Sequence, residues 1–269
     1  MSQILDVMIE AALAASKVAL KIYNQPIAVF TKSDGSPVTI ADEKAEQIIF
    51  EKLLPLGLPI LAEESACAGN IPELGDRFFC VDPIDGTKEF IKKNGEFTVN
   101  IALIENGKPT CGVVIAPALK TGYVGAKQGA FSFDIVEGEM GQKTSIQTVK
   151  QGKIDWVSSR SHGNDLLLKL VAKIELGENV STGSSLKFCM LASGKARLYP
   201  RFTNMCEWDS AAGQAVLEAA GGVVLTLDGQ PLLYKKNTEN FINPFIICAS
   251  DEQLGQKVAK LMTELCEGE

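Results

Sequence analysis

Residues 81–90 read VDPIDGTKEF. Asp82 and Asp85 stand three apart with Pro83 between them, and Gly86-Thr87-Lys88 follows at once. The run just before, Phe78-Phe79-Cys80-Val81, has the character of the end of a buried strand. Two readings of such a stretch stay open. Asp-x-x-Asp-Gly is a common turn composition. It is also a stiff, oxygen-rich strand end of the kind hard divalent cations need, magnesium using one or two carboxylates plus waters and substrate phosphate oxygens. Pro83 lowers the entropy cost of holding the turn, Gly86 lets the backbone approach a bound anion, and Thr87 offers a hydroxyl that can orient a water. An EF-hand is excluded: counted from Asp82, Thr87 falls where glycine is required, and counted from Asp85, Phe90 does. No GxxxxGK[ST] phosphate loop occurs.

Two further acidic clusters lie far away in sequence, Ala62-Glu63-Glu64-Ser65 and Glu207-Trp208-Asp209. Glu63-Glu64 alone suits a solvated acidic turn. Three clusters at strand or helix ends suit a site for two ions, which about 3.5–4 Å apart can clamp both the attacking and leaving oxygens of an in-line displacement.

The bulk composition excludes several classes. The 269 residues are 46% hydrophobic and 22% charged, with net charge −7, which disfavours non-specific nucleic-acid binding. Seven cysteines without a CxxC pair fit buried thiols in a reducing compartment. MSQILDVMIE lacks the layout of a signal peptide, and charges interrupt every apolar run well short of the ~20 residues of a spanning helix. The expected location is cytoplasmic.

Helical periodicity marks residues 3–23 and ADEKAEQIIFEKLL, with LPILAEES a short buried strand running into an acidic turn. FTVNIALIE, PTCGVVIAPA, TGYVGAK and GAFSFD have the pattern of successive antiparallel strands. The polar stretch 137–152 is the expected seam between residues 1–145, an α+β half with the antiparallel sheet, and residues 146–269, an α/β half. There the expected elements include a strand at IDWVSS, helices near 164–173 and from Asp209, strands at GGVVLTL and FIICAS, and a final amphipathic helix. The fold class is α/β, with α+β layering.

LAEES, VDPIDGTKEF and WDSAAG, in that order, resemble the signature set of the inositol monophosphatase superfamily of metal-dependent phosphatases, over about Lys32 to Gly222. DGTKEFIKKNGEFTVNIALIENGKP, SSRSH, GSSLKF and LYPRF resemble, within it, the bacterial 3'(2'),5'-bisphosphate nucleotidases of the CysQ type, which hydrolyse 3'-phosphoadenosine 5'-phosphate to AMP and phosphate. The resemblance implies an αβαβα sandwich of two αβ halves and a Mg²⁺-dependent phosphatase, sensitive to lithium, that works by metal-activated water attack. It implies one ion held by Glu63, Asp82 and the Ile84 carbonyl, a second held by Asp82, Asp85 and Asp209, and room for a third, weaker ion near Glu63.

Thr87 would orient the water and Asp42 would accept a hydrogen bond from Thr87, although Asp42 also suits a first-turn acid of its helix. The implied substrate set is Glu63, Asp82, Asp85, Gly86, Thr87, Lys88, Ser159, His162, Gly183, Lys187 and Asp209, with Lys187 facing the phosphate that is not cleaved. A lone histidine and a solvated lysine are the ordinary readings of His162 and Lys187. Arg201 is a further candidate anion partner, and the helix N-terminus at Asp209, with Ser210 and Ala211, can help hold an anion. Lys32 and Asp34 resemble the family's metal loop but have the composition of any surface turn, and stay outside the metal set. Glu207 would point away from Asp209's side. The partner is a small molecule, adenosine 3',5'-bisphosphate, and no nucleic acid. Oligomeric state has no signature, and the peripheral inner-membrane attachment that the family allows has no visible anchor. The alternatives are an inositol monophosphatase or fructose-1,6-bisphosphatase-like enzyme, and, in another class, a non-catalytic nucleotide-binding protein.

Overall fold

Leu5, Met8, Ala12, Ala15 and Ala19 recur at helical spacing and bury one face of α1 (Gln3–Tyr23). The computed structural model describes residues 3–31, 37–158, 165–235 and 240–267. The short antiparallel pair β1 (Val29–Thr31) and β2 (Pro37–Thr39) leads into α2 (Ile40–Leu53). A capping box starts α2: Thr39 Oγ1 accepts the Ala41 N–H at 3.1 Å, and Asp42 accepts the Thr39 N–H at 2.9 Å. β3 (Ile60–Ala62) then runs directly into α3 (Glu63–Cys67), and β4 (Arg77–Asp85) into α4 (Thr87–Ile91). The acidic turn expected after β3 is thus the first turn of a helix, where carboxylates complement the positive end of the dipole.

β5 (Thr98–Glu105), β6 (Lys108–Ala116), β7 (Thr121–Ala126) and β8 (Gly129–Val136) form the expected meander. β9 (Glu139–Ile146) adds a strand within the stretch that composition assigns to a polar connection. It is the outermost strand of the sheet β3-β4-β5-β6-β7-β8-β9 and mostly exposed, so a polar sequence costs it little and discourages edge-to-edge pairing. β3 is parallel to β4; every other neighbour is antiparallel.

The remaining elements are α5 (Asp165–Lys173), α6 (Leu186–Ala192), β10 (Leu198–Arg201), β11 (Met205–Cys206), α7 (Glu207–Ala219), β12 (Val223–Thr226), β13 (Ile242–Asn243), β14 (Ile246–Ala249) and α8 (Glu252–Glu267). Residues 154–158 of IDWVSS make, among the described residues, only isolated bridges, from Trp156 to Asn179 and to Leu198, in place of the expected strand. β10-β14-β12 form a second sheet.

Strand alternation builds five layers. On β4, Phe79 and Val81 join the core under α1 and α2, whereas Phe78 and Cys80 join the core under α6 and α7. On β14, Ile246 and Cys248 face that same middle core, and Ile247 and Ala249 face α5 and α8. The result is an αβαβα sandwich. The middle helix α7 lies directly on strand backbone. A Cβ on Gly112 would stand 2.4 Å from the Ala212 carbonyl oxygen, and one on Gly125 2.4 Å from that of Ala215. These glycines pair across β6 and β7 and form a slot for α7. No disulfide joins the cysteines; Cys80, Cys189 and Cys248 are buried, and Cys67 is exposed. Among the described residues no helix is long and apolar enough to cross a membrane.

Candidate active site

The spacing of Asp82 and Asp85 looks wrong for a strand, because residues three apart point to opposite faces. The pairing resolves it. Asp82 stands opposite Asn100 and Asp85 opposite Thr98, so β4 spans with three steps what β5 spans with two. Pro83 and Ile84 form a bulge with no partners on β5. The extra residue returns Asp85 to the face of Asp82, toward α6 and α7. Gly86 follows at φ +91, a left-handed conformation that needs glycine, and turns the chain into α4.

Four helix starts bring the other groups to this strand end. Glu63 is the first residue of α3 and Thr87 the first of α4. Asp42 and Asp209 occupy equivalent third positions in α2 and α7, and Asp209 Oδ2 accepts the Cys206 N–H at 3.0 Å just as Asp42 accepts that of Thr39. Carboxylate oxygens of Glu63, Asp82 and Asp209 lie within 4.8 Å of one another. Thr87 Oγ1 lies 3.3 Å from both Asp42 Oδ1 and the Ile84 carbonyl oxygen. Asp82 Oδ1 accepts the Ile84 N–H at 2.9 Å, which fixes the rotamer of the buried carboxylate. Asp42 therefore meets both its partners, the helix cap and Thr87. Glu207 lies outside the cluster, accepting the Lys235 N–H at 2.8 Å.

Electrostatics make this cluster uncomfortable without a cation. Burial, then Glu63, Asp85, Asp209 and Asp42, hold the Asp82 carboxyl well above the usual range. Burial, then Asp85 and Glu63, push Asp209 up to about 8. An all-oxygen set of converging, crowded carboxylates fits a hard divalent cation, which would relieve each of these repulsions.

Beside the carboxylates lie two cations. Lys187, on α6, is 6% exposed, sits 5.6 Å over the Tyr199 ring, and is lowered to about 8 by burial, with Arg201 adding repulsion and Asp85 opposing both. Arg201 donates to Tyr199 Oη at 2.9 Å and to the Thr203 and Asn204 carbonyls. The Gly183 N–H donates to Glu96 at 3.0 Å, and a Cβ there would meet Glu89 and the Glu96 carbonyl at 2.9 Å. Lys88 is exposed on α4. Ser159 and His162, like Lys32 and Asp34, lie outside the described residues.

Two residues absent from the expected set join the halves of the site. The Ser185 N–H donates to Asp85 Oδ2 at 2.6 Å, its hydroxyl donates to the Asp209 carbonyl at 2.8 Å, and Asn100 Nδ2 donates to Ser185 Oγ at 2.9 Å. Both sit inside quoted motif stretches, but their contacts link segments 24 to 100 residues apart, beyond any local pattern.

The same arrangement can be compared with known proteins. The model of the inositol monophosphatase family matches residues 1–265. The chain belongs to the inositol monophosphatase family. It is a family of metal-dependent phosphatases, and the acidic cluster is present here. Within the family the chain is 43% identical to the 3'(2'),5'-bisphosphate nucleotidase CysQ of Salmonella typhimurium, over 89% of this chain and 97% of the relative. Its identity to the Escherichia coli K12 protein of the same name is 42%, with the same coverage. The crystal structure of CysQ from Bacteroides thetaiotaomicron superposes with a TM-score of 0.77 at 37% identity, covering 91% of this chain and 96% of that one. An inositol monophosphatase from Thermotoga maritima reaches the same TM-score at 25% identity, with 98% of each chain covered.

Proposed function

We propose that this protein is a Mg²⁺-dependent 3'(2'),5'-bisphosphate nucleotidase that hydrolyses 3'-phosphoadenosine 5'-phosphate to AMP and phosphate, recycling a nucleotide product of sulfur assimilation. The observation that carries the reading is the convergence of Glu63, Asp82 and Asp209 within 4.8 Å beside the 3.3 Å contact of Thr87 and Asp42. The nucleotidase relatives at 42–43% identity support the substrate class.

Glu63, Asp82 and the Ile84 carbonyl would hold one Mg²⁺, and Asp82, Asp85 and Asp209 a second, with a third, weaker ion near Glu63. Bound there, the ions supply Lewis-acid activation of water and neutralise charge on the phosphoryl and leaving oxygens. The protein's own groups do the rest. Thr87 Oγ1 would accept a hydrogen bond from the attacking water while donating its own hydrogen to Asp42, which fixes the direction of the water's lone pair. Asp42, partnered by Thr39 and by Thr87, is well placed to draw that proton away as attack proceeds. Lys187 and Arg201, crowded against Tyr199, suit the phosphate that stays on the nucleotide, whose charge would relieve their mutual repulsion. Lys88, exposed and next to Thr87 on α4, would touch a phosphate. Gly86 and Gly183 give close approach, and Ser159 and His162 would border the nucleoside. Residues 1–145 would thus supply most metal ligands, and residues 146–269 the nucleotide contacts and Asp209.

The test is phosphate release with Mg²⁺ from 3'-phosphoadenosine 5'-phosphate, AMP and inositol 1-phosphate, side by side, with Asp82→Asn as control. Strong preference for the bisphosphate, abolished in the variant and inhibited by millimolar lithium, is expected. Equal turnover of inositol 1-phosphate would overturn the nucleotide assignment, and no turnover of any would leave a nucleotide-binding protein.

A further inference from the structure

α3 holds a ligand candidate on an element that cannot support itself. It has five residues, begins at Glu63, and its cap position is Ala62, which has no side chain able to cap. So short a helix is unstable alone, and its first N–H groups need partners from elsewhere. Those partners come from α2. Glu46 Oε2 accepts the Glu64 N–H at 3.0 Å, and Glu46 Oε1 accepts the Ser65 N–H at 3.0 Å together with the Ser65 hydroxyl. Glu46 is 6% exposed, so its charge is held by these donors rather than by water.

Glu46 also stands four residues after Asp42, one turn further along the same face of α2. One rigid helix therefore grips Thr87 through Asp42 and the start of α3 through Glu46. We infer that Glu46 is a positioning residue: a remote cap that sets where Glu63 stands relative to Asp82 and Asp209, and thereby the affinity of the divalent cation. This inference rests on the metal reading of the site. A glutamine at position 46 would present an amide N–H to an N–H donor, so one of the two backbone bonds would become a repulsion. Glu63 would remain in the sequence but lose its fixed place.

The experiment is Mn²⁺ binding to the whole protein without substrate, followed by calorimetry and by the Mn²⁺ electron paramagnetic resonance signal, for wild type, Glu46→Gln and Ser65→Ala. Removing a partner that orients a metal ligand weakens binding about 10–100-fold. Glu46→Gln is expected to raise the Mn²⁺ Kd by about 10-fold, and Ser65→Ala, which keeps both backbone bonds, by about threefold. In turnover, the Mg²⁺ concentration for half-maximal rate should rise in step while kcat at saturating Mg²⁺ stays within about twofold and its pH profile is unmoved. Should Glu46→Gln fail to fold, the Ser65→Ala shift carries the test. Wild-type binding with an unchanged Kd in both variants would overturn the inference and leave the metal site standing. Absence of Mn²⁺ binding in wild type would overturn both.

Discussion

Thr87 and Asp42 lie 45 residues apart in the chain and 3.3 Å apart at their side-chain oxygens, and the second oxygen of Asp42 is held by the N–H of Thr39 at 2.9 Å. One carboxylate thus starts a helix and anchors a hydroxyl. Substitution can separate the two roles. Thr87→Ala is expected to lower kcat by roughly 10²-fold or more with little change in stability. Asp42→Asn should lower kcat comparably and also lose about 1 kcal/mol from the cap. Turnover beside urea unfolding checks both; full activity in a destabilised Asp42→Asn protein would reduce Asp42 to a cap.

The raised carboxyls of Asp82 and Asp209 make stability depend on pH in an unusual direction. Both are held above the ordinary carboxylate value, Asp209 at about 8, so from about pH 4 to pH 8 Asp209, with Asp82 shifted in the same direction, binds more protons in the folded, metal-free protein than in the unfolded chain. Stability is therefore fully present at the acid end of that window and falls as pH rises through it. In EDTA, Tm should drop by roughly 5 °C or more from pH 5 to pH 8.5. Saturating Mg²⁺ should cancel much of the drop, and Asp209→Asn should flatten it. Tm that rises with pH in EDTA would contradict the assignment.

Lys187 is charged below about pH 8 and neutral above it. Lys187→Met is expected to raise KM for the bisphosphate about 10-fold or more while changing KM for a monophosphate by less than about threefold, because a second phosphate loses its charged partner. Parallel Michaelis curves for the two substrates decide it. Equal effects on both would move Lys187 to the cleaved phosphate.

Gly125→Ala would set a methyl against α7 backbone at 2.4 Å, a contact no rotamer change can relieve. A loss of about 1–3 kcal/mol is expected from overpacking. Since α7 carries Asp209, half-saturating Mg²⁺ should rise as well. Guanidinium unfolding and a Mg²⁺ titration measure the two effects on the same sample.

Much of this was legible in the residues because it was local. Apolar periodicity gives α1, α2 and the meander, and acidic clusters at element ends give Glu63, Asp82 and Asp209, the carboxylates that the fold brings together. β9 escaped because a strand at a sheet edge needs no continuous buried face, so apart from Met140 and Ile146 its residues are polar or glycine. IDWVSS misled for the opposite reason: Ile154, Trp156 and Val157 pack on the cores as a strand's residues would, but among the described residues only Trp156 forms ladder bridges. The partners of Asp85 were hidden for a third reason. Ser185 is 100 residues away, and its N–H is a backbone group that every sequence has.

The bulge between Asp82 and Asp85 does something that the aspartates alone do not require. A strand written Asp-x-Asp, with Ile84 deleted or Pro83 deleted, would pair regularly opposite Asn100 and Thr98 and still show both carboxylates on one face. What it would lose is a peptide group outside the ladder. The carbonyl of the residue before Asp85, in the intact chain that of Ile84 and 3.3 Å from Thr87 Oγ1, would lie within ordinary strand pairing. Backbone oxygens are invisible to side-chain mutagenesis, since all twenty residues carry one. A single-residue deletion here is therefore a rare handle: it removes a main-chain acceptor from a reaction centre while leaving every acidic side chain in place.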